Sequence, residues 1–311
     1  MVKAVIDVGS NSVLLLVAEK RGEDWNPLFE TTAVTALGEG TRTTGKLSER
    51  GINDTLAALE QAYAHAKGQG AEEIIAAITM AGRLAANTGD FLRQAREQGT
   101  PVAVLSAEDE AELGFRAVAE DPLFANLNRV SVIDVGGHST ELVTGVAHNG
   151  GWNLESRDSF AIGTLGLRET VMADEAAGHG AVVRASRMID DAIGLNYLPG
   201  RAGEAVSLGA TGVNLASIRA GMEWDATRWH GAELEFEEVS RATGWLCAMT
   251  DEQRAAVPGI EPGRERTLHL GALILERFMH ALMVDRCLVS ARGWRYALLS
   301  HPAKSLEALS R

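Results

Sequence analysis

The stretch Val130-Ser-Val-Ile-Asp134-Val-Gly136-Gly137-His138-Ser139-Thr140-Glu141-Leu-Val143 limits the folds open to this chain more than any other. A β-branched run ends in an aspartate. Glycines, hydroxyl side chains and a glutamate follow before a second apolar run begins. That order predicts strand, tight turn, strand. Gly136 and Gly137 leave the backbone bare where another group can come close. Successive N–H groups in such a turn can form an anion nest, and Ser139 and Thr140 add hydroxyl donors. Asp134 and Glu141 are candidates to hold a divalent cation against the same anion. On this stretch alone, a phosphate site with a metal beside it and a plain glycine hairpin fit the residues equally well.

A second copy of the pattern breaks the tie. The N-terminus runs Val2-Lys-Ala-Val-Ile6-Asp7-Val8-Gly9-Ser10-Asn11-Ser12-Val13, then continues apolar to Val17. Two strand–Asp-Val-Gly–strand units far apart in the chain predict two domains built alike, with phosphate in the cleft between their turns. A length of 311 residues suits two domains better than one small core. Formal net charge is −13 with no Lys/Arg-rich run, which argues against nucleic-acid binding through a broad basic patch. A few local donors can still hold an anionic substrate at physiological salt. No apolar run reaches bilayer-spanning length, and the first residues read as a strand rather than a signal peptide, so a cytoplasmic protein with no membrane partner is expected. Cys247 and Cys287 lie in apolar contexts and are expected to be buried thiols.

Between the two glycine hairpins, strand and helix patterns alternate, which predicts an α/β domain. Residues 25–37 read as a strand. Ser48 reads as the N-cap of a helix carrying Ile52, Leu56, Leu59 and Tyr63 at helical spacing. Glu73 to Thr79 and Val102 to Leu105 read as strands, and Ser106 caps an acidic helix start running Glu108-Asp109-Glu110. The break at Asp121-Pro122 is the expected domain boundary, giving domains 1–123 and 124–311 with the last helix packing back on the first. In the second half, Ile162-Gly163-Thr164 and Gly209-Ala-Thr211 read as glycine turns entering helices, Thr267 to Met283 as a long apolar helix and Cys287 to Ser290 as a strand. A final helix is expected from Arg292-Gly293 to the end. The apolar C-terminal half makes a homodimer reasonable.

These residues resemble the exopolyphosphatase and guanosine pentaphosphate phosphohydrolase family of the actin-like, sugar and acetate kinase superfamily, over nearly the whole chain. Asp7-Val-Gly-Ser-Asn-Ser12 resembles its first phosphate motif, and Asp134-Val-Gly-Gly-His-Ser-Thr-Glu141 its second. Thr79-Met-Ala-Gly-Arg83 resembles its Thr-x-Ala-x-Arg segment, and Ser106-Ala-Glu-Asp-Glu110-Ala111 the stretch with its catalytic glutamate. Ile162-Gly163, Gly209-Ala-Thr211, His230-Gly231, Arg264 and Val289-Ser290-Ala-Arg292-Gly293-Trp-Arg295 fall in the family's order. The resemblance implies two actin-like (ribonuclease H-like) domains, mixed sheets flanked by helices, and an active site in the interdomain cleft.

It also implies a phosphoanhydride hydrolase that releases terminal orthophosphate from inorganic polyphosphate. Guanosine pentaphosphate 5′-phosphohydrolase, a kinase of the same superfamily and a non-catalytic phosphate or nucleotide sensor are the competing readings. Phosphoryl transfer needs a positioned water, neutralised phosphate charge and an in-line leaving oxygen. Glu110 is expected to position the water. Gly9, Ser10, Asn11, Ser12, Arg83, Gly136, Gly137, His138, Ser139 and Thr140 are expected to bind phosphate. Asp134, Glu141 and Asp7 are expected to hold Mg2+, with a monovalent cation such as K+ as a second candidate. The chain departs from the family where His138 replaces a third glycine, where Leu14 replaces a basic residue, and near Ala36 and Gly166, where arginines are usual. These losses put processive action on long polyphosphate in doubt.

Overall fold

The computed structural model describes residues 1–173, 176–194, 203–225 and 227–309. The chain divides into two compact units: Met1–Leu113 together with the segment from Trp294 onward, and Gly114–Gly293.

In the first unit, β1 (Val2–Val8), β2 (Ser12–Arg21), β3 (Asp24–Val34), β4 (Glu73–Ile78) and β5 (Ala103–Val104) form one sheet in the order β3-β2-β1-β4-β5. β1 and β2 are antiparallel, as are β2 and β3, whereas β4 and β5 run parallel to β1. The central strand β1 is apolar nearly throughout, as a strand covered on both faces must be. Helix Glu49–Gly68 lies against the sheet through Ile52, Thr55, Leu59, Ala62, Tyr63 and Ala66, a stripe at helical spacing. Ser48 caps it, its Oγ accepting from the Gly51 amide at 3.0 Å.

The second unit repeats the plan. β6 (Arg129–Val135), β7 (Thr140–His148), β8 (Gly151–Phe160), β9 (Glu204–Leu208), β10 (Glu233–Glu235) and β11 (Arg286–Ser290) are ordered β10-β11-β9-β6-β7-β8. Set β10 aside, and the order β8-β7-β6-β9-β11 matches the first sheet strand for strand, antiparallel pairs first and parallel pairs after. β10 adds an antiparallel edge to β11. The apolar helix Leu268–Leu282 is buried along most of its length and carries the core of this unit.

Several sequence boundaries shift. The chain changes unit at Leu113/Gly114, inside helix Ala107–Ala119, and again at Gly293/Trp294. Asp121-Pro122, where the sequence placed the boundary, lies within the second unit. Asp121 caps the short turn Pro122–Phe124 by accepting from the Leu123 amide at 2.9 Å. Its carboxylate also accepts from Arg292 Nη1 at 2.8 Å and His230 Nε2 at 3.1 Å, so the segment is an anchor rather than a linker. The strand expected over Val102 to Leu105 shrinks to Ala103–Val104. The last helix is broken into Trp294–Leu298 and the 3-10 turn Lys304–Leu309. Pro302 explains the break: it lacks an amide proton and drives the residue before it out of helical geometry.

Cys247 and Cys287 are buried free thiols, and burial pushes them up to about 11 and about 12. Among the described residues no helix is long and apolar enough to cross a membrane.

Candidate functional site

The two glycine turns share one hydrogen bond and one steric requirement. The Gly9 amide donates to the Ser12 carbonyl at 2.9 Å, and the Gly136 amide donates to the Ser139 carbonyl at 2.9 Å. A Cβ on Gly9 would stand 3.1 Å from the Ser12 carbonyl oxygen, and one on Gly136 would stand 2.9 Å from that of Ser139. Neither glycine has a positive φ, so the demand is for close backbone approach rather than left-handed geometry. Asp7 thus corresponds to Asp134, Ser10 to Gly137, Asn11 to His138 and Ser12 to Ser139.

In each turn the flanking chain takes up the carbonyls. Those of Ser10 and Asn11 accept from the amides of Gly38, Thr35 and Ala36 at 2.7 to 3.0 Å. Those of Gly136 and Gly137 accept from Thr164, Leu165 and Gly166 at 2.7 to 3.2 Å. The peptide bonds of the described residues are trans, so a carbonyl held on one side turns the next N–H to the other. The amides of Asn11 and Ser12, and of Gly137 and His138, are therefore aimed away from the segments that hold the turns. Gly163 packs so tightly on the second turn that a Cβ there would stand 2.5 Å from the Gly137 carbonyl and the His138 nitrogen. Ala36, in the first flanking segment, has a φ of 49°, an uncommon value for a residue with a side chain.

The side chains of the turns are buried and differ in their partners. Ser10, Asn11, Ser12 and Ser139 are buried polar residues, and Asn11 Nδ2 has no hydrogen-bond partner among the described residues. Thr140 Oγ1 donates to the Ile162 carbonyl at 2.8 Å, which ties the turn to the Gly163 segment. The side chain of His138 is fully buried, with Nε2 3.7 Å from Glu169 Oε1. Its ring therefore packs toward Glu169 rather than into solvent.

Strand register places the acidic residues. On β6 and β7, Asp134 stands directly opposite Glu141; in the first unit, Asp7 stands opposite Leu14. Directly opposed residues of an antiparallel pair share a face, and like charges there repel unless a cation lies between them. Glu141 is buried and accepts from Ser159 Oγ at 2.8 Å. Cβ atoms on Gly114 and Gly209 would each lie 3.9 Å from an oxygen of Asp134, so bare backbone borders that carboxylate from two elements. Among the described residues no three His, Cys, Asp or Glu side chains converge as a metal cage. A carboxylate pair suits Mg2+, which keeps much of its water.

In the first unit, Glu110 and Arg83 meet each other. Arg83 Nη2 lies 2.7 Å from Glu110 Oε2, with both side chains largely buried, and Arg83 Nη1 donates to the Leu105 carbonyl at 2.8 Å. Burial pushes the Glu110 carboxyl above its usual range, and the Arg83 guanidinium pulls against that shift. Asp7 is raised to about 7, chiefly by burial, with Arg295 opposing the rise and Glu110 adding to it. Asp7 Oδ1 is buried with no hydrogen-bond partner among the described residues, and Trp294 donates to the same carboxylate.

Trp294 and Arg295 were not legible as site residues. The motif order contained them, but nothing local said that the Trp294–Leu298 helix would bring them to Asp7. Arg295 is buried and also pairs with Glu30 at 3.6 Å, and Tyr296 donates to Glu30 as well. This part of the first unit therefore holds Asp7, Glu110, Arg83 and Arg295 in one electrostatic cluster.

Comparison with known proteins agrees with this geometry. Residues 16–305 match the model of the Ppx/GppA phosphatase family. The chain is 28% identical over 287 residues to a protein named exopolyphosphatase 1 from Mycobacterium tuberculosis (strain H37Rv), covering 90% of this chain and 82% of that one. It is 28% identical over 294 residues to exopolyphosphatase 2 of the same organism, covering 90% of each. The crystal structure of the Aquifex aeolicus member of the Ppx/GppA family superposes with a TM-score of 0.78 at 26% identity, over 100% of this chain and 98% of that one. With the two-sheet actin-like architecture, the paired glycine turns and the match over residues 16–305, this chain belongs to the Ppx/GppA phosphatase family.

Proposed function

We propose that this protein is a phosphoanhydride hydrolase that releases terminal orthophosphate from inorganic polyphosphate, with Glu110 positioning the attacking water. The observation that carries this reading is the buried Glu110–Arg83 pair beside Asp7. A general base works best with a pKa near the operating pH, and burial moves this carboxyl in that direction while Arg83 keeps its ionised form accessible. With Oε2 held by Arg83, Oε1 is the oxygen that accepts a proton from water. The names of the mycobacterial relatives support polyphosphate as the substrate.

The turns supply the rest of the chemistry. In the first unit the backbone amides of residues 11–12, the Ser10 and Ser12 hydroxyls and the Asn11 amide are donors for phosphate oxygens; in the second unit the amides of residues 137–138 and the Ser139 hydroxyl are the equivalent donors. Such fixed donors stabilise charge without reorganising during the reaction. Asp134 and Glu141, opposed on β6 and β7, would hold Mg2+; Asp7, in the first unit, is a separate candidate carboxylate for a cation. Bound there, the ion would neutralise phosphate charge. Arg83 acts first on Glu110 and orients it. His138 acts through its backbone amide, and its ring packs toward Glu169.

The test is orthophosphate release in the presence of Mg2+ from short polyphosphate, long polyphosphate, guanosine pentaphosphate and ATP. Release from polyphosphate at the highest kcat/KM supports the reading. A preference for guanosine pentaphosphate moves the assignment to the sister activity of the family, and binding of polyphosphate with no release from any substrate refutes catalysis.

A further inference from the structure

We propose that Ser305 is a positioning residue for Glu110, closing the capping box of the catalytic helix from the far end of the chain; the proposal rests on the role of Glu110 given above. Helix Ala107–Ala119 starts after Ser106, whose Oγ accepts from the Asp109 amide at 3.1 Å. In a complete capping box, the side chain at that third helical position returns to the amide of the capping residue. Glutamate is long enough to do so; Asp109 is one methylene shorter.

Ser305 bridges the gap. The Ser106 amide donates to Ser305 Oγ at 3.1 Å, and Ser305 Oγ donates onward to Asp109 Oδ2 at 2.5 Å. The Ser305 amide donates to the same carboxylate oxygen at 2.8 Å. Ser305 comes from the turn Lys304–Leu309, so the box of this helix is closed by a residue almost two hundred positions away in sequence.

The consequence falls on the next residue. The Glu110 amide makes its helical hydrogen bond to the Ser106 carbonyl at 3.0 Å, and the Glu110 carboxylate meets Arg83 at 2.7 Å. Arg83 itself hangs on the carbonyl of Leu105, the residue just before the cap. The whole alignment of Glu110 against Arg83 is therefore built on residues 105–110. Loosening the cap lets that first turn fray and moves the carboxylate relative to the water it positions. Misplacement of a reacting group by about 1 Å can cost on the order of a hundredfold in rate.

The experiment measures kcat and KM on polyphosphate with Mg2+ for the 311-residue chain, with Glu110→Gln as the reference. Ser305→Ala, which keeps the hydrogen bond from the backbone N–H of residue 305 to Asp109, is expected to lower kcat about tenfold while KM stays within about twofold. Ser305→Thr keeps the hydroxyl and is expected to restore kcat. Asp109→Glu in the Ser305→Ala background supplies the longer carboxylate and is expected to restore it too. Should Ser305→Ala fail to fold, Ser305→Cys replaces it, with the same kinetic expectation and the same rescue. A kcat for Ser305→Ala equal to the parent, a loss seen only in KM, or failure of both rescues overturns the proposal. If Glu110→Gln keeps parental turnover, the role of Glu110 fails instead; if Glu110→Gln is inactive and Ser305→Ala is unchanged, only the positioning proposal fails.

Discussion

Replacing Arg83 by methionine removes the cation from a largely buried carboxylate while keeping most of the side-chain volume. At 2.7 Å and an effective dielectric of about 20, the Arg83–Glu110 attraction is roughly 6 kcal/mol before desolvation is counted. Breaking one partner of a buried pair costs about 3 to 5 kcal/mol, because the remaining charge stays buried and uncompensated. Exposures of 18% and 13% for the two side chains place this pair at the lower end, about 3 kcal/mol at pH 8. The sign with pH follows from Glu110. Its pKa is already raised by burial, and losing Arg83 raises it further, so the folded state holds its proton to higher pH than the unfolded state. The variant is then least destabilised below the unfolded carboxyl value near 4.3, and the loss grows as pH rises through the folded value. Denaturant unfolding of parent and Arg83→Met at pH 5 and pH 8 checks this. Adding Glu110→Gln to Arg83→Met should recover most of the loss at pH 8. The acid limb of kcat/KM should also move to higher pH in Arg83→Met. A pH-independent stability loss, or an unmoved acid limb, would refute both the coupling and Glu110 as the titrating base.

Three further outcomes follow from the same geometry. Gly136→Ala places a methyl 2.9 Å from the Ser139 carbonyl and Gly9→Ala places one 3.1 Å from that of Ser12; both should raise KM for polyphosphate, Gly136→Ala more, with an overpacking cost of about 1 to 3 kcal/mol in thermal unfolding. Asp134→Asn and Glu141→Gln should each raise the Mg2+ concentration for half-maximal phosphate release about tenfold or more, and should weaken any Mg2+-induced rise in melting temperature. His269, whose ring nitrogens are buried without hydrogen-bond partners among the described residues, is pushed down to about 3 by burial and by Arg254 and Arg168. Its unfolded form takes up a proton near pH 6.5, so stability present above that value falls by up to about 3 kcal/mol by pH 4. His269→Leu should flatten that slope, as read from unfolding curves between pH 7 and pH 4.

The two Asp-Val-Gly turns were legible because each is local: a β-branched run, a glycine where a carbonyl must come close, and a second apolar run. Their repetition carried the inference to two units with one plan, and the strand orders agree with it. Ser48 and Ser106 were legible as caps for the same reason. The interactions across the chain were not. Nothing near Glu110 says that Arg83 will hold its carboxylate, and nothing near Ser106 says that Ser305 will complete its cap. Trp294 reads as a core aromatic until Asp7 is seen beside it. His138 illustrates the limit of motif reading: its position in the turn is evident, but the direction of its ring, buried toward Glu169, depends on packing. Asp121-Pro122 carried every local sign of a linker, yet Arg292 and His230 make it an anchor.

The measurement closest to the central claim is steady-state phosphate release from polyphosphate by Glu110→Gln at saturating Mg2+. The amide keeps the size of the side chain but cannot take a proton from water. General-base contributions are typically a hundredfold to ten-thousandfold, so kcat should fall by about that much while KM stays within a few-fold of the parent. A folded Glu110→Gln protein that releases phosphate within a few-fold of the parental rate would contradict the account.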